Sequence, residues 1–84
     1  MTPRQVRSVL TVLELGSVNR AAEALYLAPS SVSAQIRELS TVLGVYLFEH
    51  AGRGIVASSA LRKLQTSLQS FLNSPEQITQ LAHS

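Results

Sequence analysis

The sequence predicts an all-α domain that carries one small two-stranded β hairpin and ends in a long C-terminal helix. Three observations lead there. Apolar residues recur at three- and four-residue intervals in four separate stretches, the spacing of a helix with one buried face. Serine, threonine or proline opens these stretches and glycine closes two of them, as helix caps require. One run, FEHAGRGIVA, breaks the helical spacing around a pair of glycines and reads as two short strands joined by a turn.

The first helix begins at Thr2-Pro3, with Thr2 as cap and Pro3 in the first turn. Val6, Val9, Leu10 and Leu13 set its buried face, and Gly16 stops it after Leu15. Arg4 and Arg7 lie on its polar side, either as ordinary solubilising charge or as contacts to phosphate. The second helix starts after Ser17, whose hydroxyl can accept from an orphan backbone N–H. Ala21, Ala22 and Leu25 form its apolar stripe, and the alanines are small enough to admit a close neighbour. Tyr26 and Leu27 end it, and Ala28-Pro29 opens the third helix almost at once. Two helices joined so tightly cross at a steep angle, which makes residues 16–43 a helix-turn-helix.

In the third helix Val32, Ile36, Leu39 and Leu43 share the buried face. The opposite face carries Ser30, Ser33, Ala34 and Arg37, with Gln35 and Glu38 at its flanks. An exposed helix shaped only for solubility would more often carry Lys and Glu in i,i+4 pairs. Small side chains let a helix backbone sit deep in a groove, and Ser, Gln and Arg can hydrogen-bond to base edges or phosphates. Ser17, Asn19 and Arg20, at the start of the second helix, are placed to meet phosphates through side chains and N–H groups. The candidate DNA-binding set read from the residues is Ser17, Asn19, Arg20, Ser30, Ser31, Ser33, Ala34, Arg37 and, from the hairpin, Arg53.

Gly44 closes the third helix, and Val45, Leu47 and Phe48 plug the open side of a three-helix core. The hairpin tip, Ala51-Gly52-Arg53-Gly54, holds a cation that turning alone does not need. A guanidinium there suits the concentrated negative potential of a minor groove or a line of phosphates. Ser58-Ser59 caps a last helix in which Leu61, Leu64, Leu68 and either Phe71 or Leu72 recur at seam-like spacing. These side chains could fold back onto the domain or pair with the same helix of a second copy; the spacing favours a homodimer seam. Ser74-Pro75-Glu76-Gln77 resembles a fresh helix start, after which Ile78 and Leu81 would continue the seam past a kink.

Eighty-four residues make one small domain with a modest core, here of Leu, Val, Ile and Ala, since 45% of the chain is hydrophobic and 5% aromatic. Absence of cysteine excludes disulfides and thiolate metal sites. No apolar run approaches the ~18 residues of a membrane span, and no secretion signal opens the chain, so a cytoplasmic location is expected. Net charge is only +2, but all seven cations lie in residues 1–63 while the tail from Leu64 carries Glu76 alone. A polyanion would meet residues 1–63. The expected organisation is a DNA-reading unit over residues 1–57 and a linker or dimerisation helix over 58–84.

The run NRAAEALYLAPSSVSAQIRELSTVLGVYLFEHAGRGI resembles the N-terminal winged helix-turn-helix of LysR-type transcriptional regulators. Arg20-Ala21-Ala22 with Leu25, Ser33 with Gln35-Ile36-Arg37, Leu39 and Leu43-Gly44, Leu47-Phe48 and Gly52-Arg53-Gly54 follow the family's order and spacing, and the likeness covers residues 3–72. It implies sequence-specific binding of double-stranded DNA, with the third helix in the major groove and the wing at the minor groove. It further implies a dimer through the helix after the wing, tetramers on interrupted palindromic operators, and an effector-binding domain beyond residue 84 through which alone a small-molecule effector would act. Pro29, Ser30, Ser33 and Ala34 occupy the family's groove-facing positions and Arg53 its wing arginine. Four departures stand out: Ala28 where serine is common, Pro29-Ser30 where a Gln-Pro pair is common, Ala34 where arginine is frequent, and Val56-Ala57-Ser58-Ser59-Ala60-Leu61 at the entry to the dimer helix.

Two other function classes compete. An enzyme lacks parts: no Cys, no Asp, two distant histidines (His50 and His83) and five scattered glutamates, so no catalytic residue, metal site or cofactor is expected. A winged helix serving as a protein-interaction or dimerisation module without DNA specificity is the stronger rival. The pairing of a small-residue helix face with an arginine-tipped hairpin favours DNA.

Overall fold

Each helix begins and ends where its local chemistry dictates. The computed structural model describes residues 1–74: α1 (Pro3–Leu15), α2 (Val18–Leu25), α3 (Pro29–Leu43), β1 (Phe48–Ala51), β2 (Gly54–Ala57) and α4 (Ser59–Leu72). The fresh helix start expected at Pro75, with Ile78 and Leu81, lies outside the described residues. Thr2 and Gln5 close a reciprocal capping box on α1, Ser17 Oγ accepts the Arg20 N–H at the head of α2, and Ser58 Oγ accepts the Leu61 N–H at the head of α4. Gly16 and Gly44 end α1 and α3 in the left-handed region, at φ 70° and 71°.

The join between α2 and α3 is a Schellman motif. The Leu27 N–H reaches the Ala22 carbonyl at 2.9 Å and the Tyr26 N–H reaches the Glu23 carbonyl at 3.2 Å. Tyr26 itself takes the left-handed conformation, φ 57°, which glycine would adopt more cheaply. This abrupt stop leaves only Leu27 and Ala28 before Pro29 starts α3.

Two apolar clusters hold the helices together. Val6 and Val9 of α1, Leu39 of α3, Leu47, and Leu61 and Leu68 of α4 make the larger one; Val12, Ala21, Ala22 and Val32 make the smaller. Ile36 and Phe48 pack against both. The predicted buried residues of α3 separate into fully buried Val32 and Leu39 and half-buried Ile36 and Leu43. Leu47 is the complete plug, with Val45 and Phe48 half-buried beside it.

The C-terminal helix corrects one expectation. Leu61 and Leu68, assigned to a dimer seam, are 0% and 3% exposed within their own chain. Here α4 packs against α1 and the base of the hairpin, and the two leucines join Val6, Val9, Leu39 and Leu47 in the core of a single copy. Leu64, Phe71 and Leu72 pack against that same cluster but stay half-buried.

Strands β1 and β2 pair antiparallel with Phe48 opposite Ala57, Glu49 opposite Val56, His50 opposite Ile55 and Ala51 opposite Gly54. Their two-residue turn, Gly52-Arg53, has positive φ at its first central position, where glycine is without penalty. Ser58 ties the base of this hairpin to α4. It is 4% exposed, its hydroxyl donates to the Tyr46 carbonyl at 2.7 Å while accepting from Leu61, and its N–H donates to the Leu47 carbonyl. Ser58→Ala is expected to cost about 1–2 kcal/mol, because it removes a helix cap and the hydroxyl's bond to the Tyr46 carbonyl. Urea unfolding followed by circular dichroism measures it; an unchanged midpoint would show that neither bond stabilises the fold.

Candidate nucleic-acid interface

The outward side of α3 follows from its inward side. With Val32 and Leu39 buried, the helical period turns Ser30, Ala34, Arg37 and Thr41 away from the core. Pro29, Ser30 and Arg37 are exposed, whereas Ser33 and Ala34 are half-buried on a shallower part of the surface. Ser31 lies four residues before Gln35, so the two share a row on the flank facing α1. Of the predicted α3 residues, Pro29, Ser30, Ser33, Ala34 and Arg37 belong to the outward and adjoining surface, and Ser31 is set to one side. Thr41 was not in the predicted set; its spacing of four from Arg37 is the signal that places it there. Its hydroxyl turns back to donate to the Arg37 carbonyl at 3.0 Å.

The start of α3 differs from the starts of the other described helices. Ala28 provides no side-chain cap, and its carbonyl accepts from the Ser31 and Val32 N–H groups. The Ser30 N–H has no partner among the described residues, as is true of the second N–H in each of the other described helices. An exposed helix N-terminus with an open donor carries the positive end of the helix dipole and suits an anionic or acceptor-bearing surface.

Two further elements present the remaining predicted residues. At the head of α2, Asn19 and Arg20 are exposed, while Ser17 is half-buried with its oxygen engaged in the cap. Its hydroxyl hydrogen is still free to donate. Arg53 stands exposed at the hairpin tip, carried on the stem that packs through Phe48 and Ile55 against the smaller cluster. The stem thus fixes the base of the wing while leaving its cation in solvent.

Polar bonds between α1 and α3 escape sequence reasoning altogether. Gln5 Nε2 donates to Glu38 Oε2 at 3.0 Å, and the hydroxyl of Ser8, only 1% exposed, donates to Gln35 Oε1. The partners are 33 and 27 residues apart. No local pattern pairs them; they become visible only once Val6, Val9 and Leu39 have set the crossing of the two helices. Both bonds fasten α3 to α1.

Comparison with known proteins agrees with this geometry. The family model of the bacterial regulatory helix-turn-helix protein, lysR family, matches residues 3–60. The RuBisCO operon transcriptional regulator of Allochromatium vinosum is 39% identical over 61 residues, which are 73% of this chain and 20% of that protein. The HTH-type transcriptional regulator CysB of Thiocapsa roseopersicina is 42% identical over 57 residues, 67% of this chain and 42% of that one. The chain thus spans less than half the length of these curated relatives. Among solved structures, the BenM DBD in complex with benA site 1 DNA superposes with a TM-score of 0.83 at 25% identity, over 99% of this chain and 96% of that one. An α3 face of small side chains, an arginine-tipped hairpin and a family match over 3–60 lead to one assignment: the chain belongs to the lysR family of bacterial regulatory helix-turn-helix proteins.

Proposed function

We propose that this chain is the DNA-reading part of a bacterial transcriptional regulator, with α3 entering the major groove and the β1–β2 wing lying at the minor groove. The observation that carries the reading is the uncapped, exposed start of α3, followed by Ala34 and Arg37 on the same outward side. Small side chains admit the backbone to the groove, Arg37 supplies a long donor, and the wing arginine adds phosphate or minor-groove contact. That the similarly folded BenM DBD is solved in complex with benA site 1 DNA supports duplex DNA as the ligand. The reading is of a binding domain that needs no cofactor, working in the cytoplasm.

The same proposal includes a homodimer, tetramers of the complete regulator on interrupted palindromic operators, and an effector domain beyond residue 84. With Leu61 and Leu68 inside the core, the dimer surface is formed by what α4 leaves outside: the half-buried Leu64, Phe71 and Leu72 and the exposed side chains between them. Residues 1–57 read DNA and residues 58–84 join copies, although α4 also completes the fold of its own copy.

Selection of bound duplexes from a random pool, followed by titration of the winning duplex at several salt concentrations, tests the reading. Affinity should fall steeply with salt as phosphates are neutralised. Arg53→Ala is expected to weaken binding to all duplexes and to reduce the salt slope by about one per protomer. Wild-type slope and affinity in that variant would remove the wing from the interface. Salt-insensitive or undetectable duplex binding by the native chain would favour a protein-interaction module instead.

A further inference from the structure

Arg4 and Arg7 lie one turn apart on α1 and, together with Ser8, Leu25, Leu27 and Gln35, line a cleft of about 310 Å³ between α1, the α2–α3 turn and the flank of α3. Two guanidinium groups at i,i+3 spacing repel each other unless an anion lies between or beside them. Among the described residues no carboxylate pairs with either. Glu38, the acid on the same helix as Gln35, is engaged by Gln5 and borders a different groove, with Ala34, Arg37 and Thr41.

Gln35 completes the donor set. Its Oε1 accepts from the buried Ser8 hydroxyl, which fixes the orientation of the amide and leaves the Nε2 hydrogens available to donate. Two guanidiniums and an amide N–H are the complement of an oxyanion. Leu27 in the wall of this cleft is two residues from Pro29, where α3 begins. A duplex that receives the start of α3 in its major groove brings backbone phosphates along the flanks of that helix.

From this we infer that Arg4, Arg7 and Gln35 Nε2 form a seat for a DNA backbone phosphate beside the reading helix, with Ser8 as the positioning residue that holds Gln35 in its donating orientation. The inference rests on the DNA-reading function and adds a contact from α1 that neither α3 nor the wing supplies. Because the seat meets backbone, it contributes to all duplexes alike and fixes the register of α3 without itself reading sequence.

The test uses the 84-residue chain, the duplex selected from a random pool, and a scrambled duplex of equal length. Arg4→Gln/Arg7→Gln is expected to weaken binding to both duplexes in parallel, by about tenfold or more, and to lower the salt slope by about 0.9 per protomer for each phosphate that is no longer neutralised. Its thermal midpoint should not fall below that of the native chain, since neither guanidinium has a partner among the described residues. Single methylphosphonate replacements along the selected duplex should reveal one position whose neutralisation weakens the native chain but not the double variant. Ser8→Ala should reduce the sensitivity to that same position while leaving the salt slope as it was, because no charge is removed; a merely structural role for Ser8 would weaken all positions equally. If the native chain binds duplex and the double variant binds it with the same affinity and slope, the seat is refuted while DNA reading stands. If the native chain binds no duplex at any salt concentration, both fall together.

Discussion

Leu61→Ala should lower the melting temperature of the domain steeply, without first releasing folded monomers. Leu61 is fully buried among Val6, Val9, Leu39, Leu47 and Leu68, so truncation removes apolar contact and leaves a cavity. Such changes cost about 2–5 kcal/mol. Small domains have total stabilities of about 5–15 kcal/mol. For a chain of this size the melting temperature should fall by roughly 10–30 °C. Differential scanning calorimetry gives the magnitude, and sedimentation equilibrium at a temperature where the variant is still folded gives the mass. A variant that keeps its melting temperature but sediments at half the native mass would return Leu61 to a seam between copies and contradict the packing described here.

The second large effect is on binding. Ala34→Glu should reduce affinity for any duplex by on the order of 100-fold, since a carboxylate brought against a polyanion costs several kcal/mol. The fold should tolerate it: Ala34 borders an open groove, glutamate is a good helix former, and the i,i+4 repulsion with Glu38 amounts to only about 0.2–0.5 kcal/mol. Ala34→Gln, of the same size without the charge, separates electrostatics from bulk and should bind far better than the glutamate variant. Fluorescence anisotropy with a labelled duplex measures both. Equal affinity of the glutamate variant and the native chain would place α3 away from the DNA.

The order of elements was legible because their ends are written in local chemistry. Thr2-Pro3, Ser17, Ala28-Pro29 and Ser58 mark starts; Gly16 and Gly44 mark stops; the helical period of Val32, Ile36, Leu39 and Leu43 tells which way α3 faces. The Gly52-Arg53 turn was legible for the same reason. What covers α4 was not. A stripe of leucines at three- and four-residue intervals is identical whether its cover is a second copy or the chain's own first and third helices. The answer depends on how α4 meets Val6, Val9, Leu39 and Leu47, which is a matter of three-dimensional arrangement. The cleft of Arg4, Arg7 and Gln35 was only half legible: the two arginines share a face by spacing, but the partner of Gln35 lies across a helix crossing. Tyr26 as the left-handed residue of the turn was also hidden, because tyrosine carries no preference for that conformation.

The reading helix is planted in both apolar clusters, Leu39 in one and Val32 in the other, with Ile36 touching both. Neither cluster can open without unseating it. Partial melting therefore offers no route to a scaffold that survives while its reading helix swings loose, and recognition is lost or regained in the same all-or-none event as the fold itself.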